Sequence, residues 1–419
     1  MSLPDRTVLD NGAVLIAQPL PSNPFVAFRG SVPAGLAAEA NEPGLATFVS
    51  HLLLSGTRRM GGRKLVDRLE SLGATLEFHA MEEVLLFQGR CTRRTAVETV
   101  RILLECLFQP AFPPKEVERV RAELLNELRI QRDDTRYRAA RGLANIVFPK
   151  GHPYGREPRG DASHLKRIRR PDVVAFHEAH IGSDGLILAI TGDVDRVLVE
   201  EAVARSLSKV PATNEPPASI PPPAGYRPRT ESIPMPHKSQ VDIAVGGPAV
   251  PRRHGDFYAL HLANLLFGRI GLMGRIGRNL RDEQGLAYYA FSDLDARSVG
   301  GMWSVAAGVN PANLEKVLQG VRAEMERLRA EPFGLEEIRD GKDNQVGSLI
   351  VSLERNAEVA AELHRMEYFG LGMDFLEHYA DIVRELPDDA VRSVAQKYFA
   401  PADASVVVAG PLRKARVSL

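Results

Sequence analysis

Residues 211–229, Pro-Ala-Thr-Asn-Glu-Pro-Pro-Ala-Ser-Ile-Pro-Pro-Pro-Ala-Gly-Tyr-Arg-Pro-Arg, constrain the fold more than any other stretch. A proline-rich run is stiff, exposed and poor in side chains to bury, so it separates packed units. It divides a chain of 419 residues into halves of about 200 residues each, the size of an ordinary domain. The halves echo one another. Asp172-Val-Val-Ala-Phe and the later Leu-Ala-Ile-Thr-Gly192 are answered by Asp389-Ala-Val-Arg and Val-Val-Val-Ala-Gly410. Arg68-Leu-Glu-Ser-Leu-Gly-Ala74 is answered by Asn279-Leu-Arg-Asp-Glu-Gln-Gly-Leu286, and Ala111-Phe-Pro-Pro by Glu331-Pro-Phe-Gly. The expected organisation is a domain over 1–210, a linker over 211–229 and a second domain over 230–419.

Local patterns fill in the first half. Thr7 to Ala17 reads as two strands around an Asn11-Gly12 turn, and Phe25 to Val32 as a third. Gly44 to Thr57 is a helix: Leu45, Phe48, Val49, Leu52 and Leu53 recur at the spacing of one buried stripe. Further helices are expected at Arg63–Leu72, Thr95–Leu107 and Glu116 to about Arg132, with strands from Thr75, from Glu83 and over Leu186–Asp193. On the Glu116–Arg132 helix, Glu127 falls by spacing within the apolar stripe Val117, Val120, Leu124, Leu128. A buried carboxylate needs a metal, a cation or several donors; Arg129 and Arg132 are the nearby cations.

On the Gly44–Thr57 helix, Thr47, Ser50 and His51 share the face opposite the stripe. A zinc hydrolase of the H-x-x-E-H type carries two imidazoles and a general base at those positions. Here the frame reads Thr47-x-x-Ser50-His51, so one ligand remains, and the other ligand and the base are replaced. With Gly44-Leu-Ala before it and Leu54-Ser-Gly-Thr57 after it, the stretch resembles the pitrilysin/insulinase family of zinc peptidases. That resemblance implies an α+β fold of two similar α/β domains, each a mostly antiparallel sheet packed with helices. It assigns Glu127 to the third zinc-ligand position. Gly151-His-Pro-Tyr-Gly155 with Gly160 also looks like a family loop, although His152 reads as a structural histidine. His177 and His180 sit one turn apart without a third ligand in view.

The second half carries Asn279-Leu-Arg-Asp-Glu-Gln-Gly-Leu-Ala-Tyr-Tyr-Ala290. It is similar to the family segment L-R-E-x-x-G-L-A-Y, whose Arg and Tyr lie near the substrate, and the register selects Arg281 and Tyr288 over Tyr289. A guanidinium and a phenol can both donate to a peptide carbonyl or to the oxyanion formed from it. Without the family frame, Arg281 would pair with Asp282 or Glu283 and Tyr288 would be core. The glycines of Gly268-Arg-Ile-Gly-Leu-Met-Gly-Arg-Ile-Gly277 follow a helical pattern rather than a strand, which argues against a nucleotide loop.

A neutral hydroxyl is a poor zinc donor, and catalysis by zinc needs three protein ligands and a base. The resemblance therefore implies a zinc-free, substrate-binding subunit of a heterodimeric metallopeptidase, non-catalytic alone and without a cofactor of its own. Zinc would reside in a homologous partner with an intact H-x-x-E-H, acting on a peptide; in isolation the chain would form homodimers. The alternatives are a non-enzymatic scaffold or peptide-binding protein, and a residual peptidase holding metal through His51, Glu127 and a third ligand. With 53 basic and 53 acidic residues, nothing points to nucleic acid or an anionic membrane. Two cysteines, Cys91 and Cys106, suggest a reducing compartment. No run is apolar enough to span a membrane, and Met1 to Arg6 lacks a signal peptide's apolar segment. The expected location is cytoplasmic, or periplasmic if a leader was removed.

Overall fold

The computed structural model describes residues 3–412 apart from Ser22, Asn41 and Asn214. The chain forms two compact units: Met1–Leu128, Arg156–Ser219 and Ile350–Glu377 make the first, and Arg129–Gly155, Ile220–Leu349 and His378–Leu419 the second.

The first unit holds six strands: β1 (Asp5–Val8), β2 (Val14–Pro19), β3 (Phe25–Val32), β4 (Thr75–Ala80), β5 (Leu85–Thr92) and β6 (Ile187–Gly192). They lie in the order β1-β2-β6-β3-β5-β4, and only the β2–β6 pair is parallel. The second unit holds β7 (Thr230–Pro234), β8 (Val241–Ala249), β9 (Ala287–Ala296), β10 (Gly301–Val309) and β11 (Ser405–Gly410). Their order is β7-β11-β8-β10-β9, again with one parallel pair, β7–β11. Strand for strand, β7, β11, β8, β10 and β9 stand where β2, β6, β3, β5 and β4 stand. The internal repeat is thus a repeat of topology, and the expected α+β fold of two mostly antiparallel sheets is what the chain adopts.

The expected boundaries need one correction. The units divide between Ser219 and Ile220, inside the proline-rich stretch, but each also contains a helix from the other's side of it. Helix Thr135–Val147 packs on β8 and β11, and helix Asn356–Tyr368 packs on β3 and β6. Asn356 Nδ2 donates to the Phe25 carbonyl at 2.6 Å, and His364 Nε2 lies 2.8 Å from Ser31 Oγ. An amphipathic pattern states that a helix buries one face; it does not state against which sheet. With helices on both faces, β3, β6, β8 and β11 are buried almost throughout instead of alternating. Cys91 and Cys106 are buried free thiols. No helix among the described residues is long and apolar enough to cross a membrane.

Candidate functional site

In the first unit the site is built on helix Leu45–Leu52. Leu45, Phe48, Val49 and Leu52 all sink into the core, which orients Thr47, Ser50 and His51 away from it. The helix start is held by Glu39, only 2% exposed, whose Oε1 accepts from Gly44 N at 3.1 Å and Ala46 N at 3.0 Å. Burial pushes the Glu39 carboxyl up to about 8, against the downward pull of those two N–H groups and of Arg156. Glu39 escapes sequence reasoning because it lies before the helix, outside any capping spacing.

Thr47 and Ser50 are buried and turned onto backbone: Thr47 Oγ1 donates to the Pro158 carbonyl at 2.5 Å, and Ser50 Oγ to the Thr47 carbonyl at 2.8 Å. His51 is half-buried beside Glu123 and Glu127, and one ligand atom from each of the three lies within 4.8 Å of the others. Burial holds the His51 imidazole below its ordinary value, while the two carboxylates pull it up and Arg159 pulls it down.

Glu127 does not lie within the buried stripe. Val117, Val120, Leu124 and Leu128 form that stripe, and Glu127 stands at its margin with its side chain 31% exposed. The expected cations Arg129 and Arg132 do not pair with it. Arg159 Nε does, at 2.7 Å, from a loop that no helical spacing could connect to it. Glu123, one turn before Glu127, was not anticipated. An i, i+4 pair of glutamates is the signal that could have found it, and Arg119 Nη1 holds it at 2.8 Å.

This donor set does not fit the family's zinc site. The ligand position at 47 and the base position at 50 donate to carbonyls, Glu127 is paired with Arg159, and Glu123 shares Arg119 with Glu116. His152 is structural, as expected, and His177 is likewise held against backbone. His152 lies 3.0 Å from the Pro221 carbonyl and stacks on Phe148, and His177 lies 2.8 Å from the Leu107 carbonyl.

In the second unit, Arg278–Glu283 forms a π-helical turn that leads into β9. Asn279 Nδ2 donates to buried Glu324 Oε1 at 2.5 Å, and Asn279 Oδ1 accepts from Gln284, so the turn is tied down at both ends. Arg281 is half-buried and Tyr288 is 63% exposed. Among the described residues, neither side chain has a hydrogen-bond or ion-pair partner, Asp282 and Glu283 included. Gly308 pairs with Tyr289 and Val309 with Ala287, so Tyr288 is the extra residue of a β-bulge. A bulge re-aims side chains.

Tyr289, the competing tyrosine, is used up inside. Its hydroxyl donates to Asp242, 1% exposed, which also accepts from Thr135 and from Gln240 Nε2 at 3.1 Å. The Arg136 guanidinium lies 4.9 Å from the centre of the Tyr289 ring. Burial and the Asp242 charge push the Tyr289 hydroxyl well above its ordinary value. Gly308 is obligatory opposite, because a Cβ there would meet Tyr289 Cε1 at 2.4 Å. Tyr289→Phe is expected to lower stability by about 1–3 kcal/mol, the usual cost of stripping a donor from a buried acceptor; urea unfolding would measure it.

The comparisons with known proteins bear on the family and the fold. The family described as Insulinase (Peptidase family M16) matches residues 14–149, and that described as Peptidase M16 inactive domain matches residues 167–345. A Streptomyces coelicolor protein named an uncharacterized zinc protease is 24% identical, over 99% of this chain and 91% of its own. The Bos taurus mitochondrial-processing peptidase subunit beta is 22% identical, over 88% and 77% respectively. A peptidase M16 inactive domain from Pseudomonas fluorescens superposes with a TM-score of 0.88 at 22% identity, covering 99% of both chains. A Helicobacter pylori protease superposes with a TM-score of 0.86 at 19% identity, over 98% of this chain and 100% of that one. The last two speak for the fold. Matched along nearly its whole length, and built on a repeated sheet with the family's motif frame intact in spacing, the chain is a member of the insulinase (peptidase M16) family.

Proposed function

We propose that the chain is the zinc-free, substrate-binding subunit of a two-subunit peptidase. The observation that carries this reading is an asymmetry between the units. In the first, Thr47 and Ser50 are turned onto backbone carbonyls; in the second, Arg281 and Tyr288 keep their donors free. The family's zinc, in the partner, would polarise a peptide carbonyl and activate water. This chain's part is to bind and orient. The Arg281 guanidinium and the Tyr288 hydroxyl donate to substrate backbone carbonyls and to the oxyanion as it develops. That relatives include a protein named as a subunit of a processing peptidase supports a two-chain arrangement.

The test is to purify a homologous chain with an intact H-x-x-E-H and assay peptide cleavage before and after adding this one. Mixing is expected to raise cleavage by about 10²-fold or more, the scale of one well-placed oxyanion donor. No change on mixing sinks the reading and favours a scaffold or peptide-binding role. A second reading has its own observation: the cluster of His51, Glu123 and Glu127. Stoichiometric zinc in the pure chain, with chelator-sensitive cleavage, would restore the residual-peptidase alternative.

A further inference from the structure

We propose that Arg159 is the built-in replacement for the family's metal ion, a fixed internal cation that takes over the charge-balancing role at Glu127 and excludes zinc. It rests on the reading of this chain as zinc-free and explains how the first unit stays folded in that state. A half-buried carboxylate at the margin of a core stripe is stabilised by a positive partner. In a zinc peptidase the metal supplies it; here the Arg159 Nε–H does, at 2.7 Å from Glu127 Oε2. An arginine suits this place because its charge is permanent and its fork is planar.

The loop that carries Arg159 is fastened to the same helix that lost the zinc motif. Thr47, at the vacated ligand position, donates to the carbonyl of Pro158, the residue just before Arg159. Arg156 Nη1 donates to the Leu36 carbonyl at 3.0 Å. Gly160 adopts φ +65°, and a Cβ there would lie 2.1 Å from the Pro43 carbonyl oxygen, so the loop is pressed against the helix entry. The substitution at 47 and the arginine at 159 thus work as one unit: the first anchors the loop, and the second delivers the charge.

An entering divalent cation meets the Arg159 charge at Glu127, the carboxylate it needs, whereas at Glu123 it meets an Arg119 guanidinium that is shared with Glu116.

Zinc titration against a chromophoric chelator tests this in the full chain. The wild type is expected to take up no stoichiometric zinc. Thr47→His with Ser50→Glu is expected to bind weakly, and adding Arg159→Leu to those two changes to tighten binding by roughly 10–100-fold. Equal affinity with and without Arg159 overturns the proposal. Stoichiometric zinc in the wild type overturns both it and the zinc-free reading, whereas failure of the subunit-mixing assay overturns the subunit role and leaves the Arg159 pairing standing. Should neither revertant bind zinc, thermal unfolding of Arg159→Leu, Glu127→Gln and the double variant decides. Each single change is expected to lower the midpoint, with the double variant no lower than the worse single; additive losses overturn the pairing role.

Discussion

In the reconstituted two-chain enzyme, Arg281→Ala is expected to lower kcat by about 10²–10³-fold, the loss measured when one oxyanion donor is removed. Tyr288→Phe, which keeps the ring and deletes only the hydroxyl, is expected to fall in the same range. The physical basis is differential binding: a donor that meets a neutral carbonyl in the ground state meets a charge as the oxyanion develops, and only the difference accelerates the reaction. KM should rise less than kcat falls, because ground-state backbone hydrogen bonds are worth about 1 kcal/mol each. Applied together, the two changes should cost less than the product of the singles, since both donors serve one developing charge. Steady-state kinetics on one peptide, with zinc content of the partner held constant, gives all three numbers. A rise in KM alone would reduce the pair to a grip on the ground state. Unchanged kinetics for both variants would leave the second unit's free donors without a catalytic purpose and return the scaffold reading.

The family resemblance alone singled out these two side chains; read by themselves, the residues point to an ion pair for Arg281 and a core place for Tyr288, and among the described residues the structure shows neither. The short strands were legible from turn chemistry: the Asn11-Gly12 turn sets β1 against β2, and the echoes between halves correspond to equivalent strands such as β6 and β11. What could not be read is what depends on distant partners. Helix Asn356–Tyr368 and strand β3 are brought together across more than three hundred residues by Asn356 and His364, and nothing in an amphipathic pattern names its partner. The Glu127 position followed the motif, but its burial was overestimated, because a heptad spacing locates a helical face to within one residue while exposure changes across that margin. Arg159 was invisible as a partner for Glu127, since only the fold of the Pro158–Gly160 loop brings it there. Tyr289 shows the converse: its neighbour Tyr288 was preferred by register alone, and the physical separation of the two comes from a bulge and from Asp242, neither of which has a local signature.

Glu39 provides the sharpest pH signature expected of this chain. Its carboxyl is raised from 4.5 to about 8, so between those values the folded state retains a proton that the unfolded chain has released. Stability contributed by the group is therefore complete below pH 4.5 and lost as pH rises toward 8. One pKa unit corresponds to about 1.4 kcal/mol, which sets an upper bound of about 5 kcal/mol for this loss. Glu39→Gln removes the titration while leaving an amide oxygen to accept from Gly44 and Ala46. Buried His364, held down to about 3 by burial and by Arg29 and Arg365, acts on the other flank: it loses stability as pH falls below 6.5. The difference between wild type and Glu39→Gln cancels that contribution. Urea unfolding at pH 5 and pH 9 is expected to give similar midpoints for the two proteins at the lower pH and a higher midpoint for the variant at the upper one. Parallel curves would mean that the carboxyl is not shifted. A wild type that gains on the variant at pH 9 would mean that Glu39 is ionised and caps the helix with its charge, because an anion at a helix start is stabilising only when its two N–H bonds outweigh its burial.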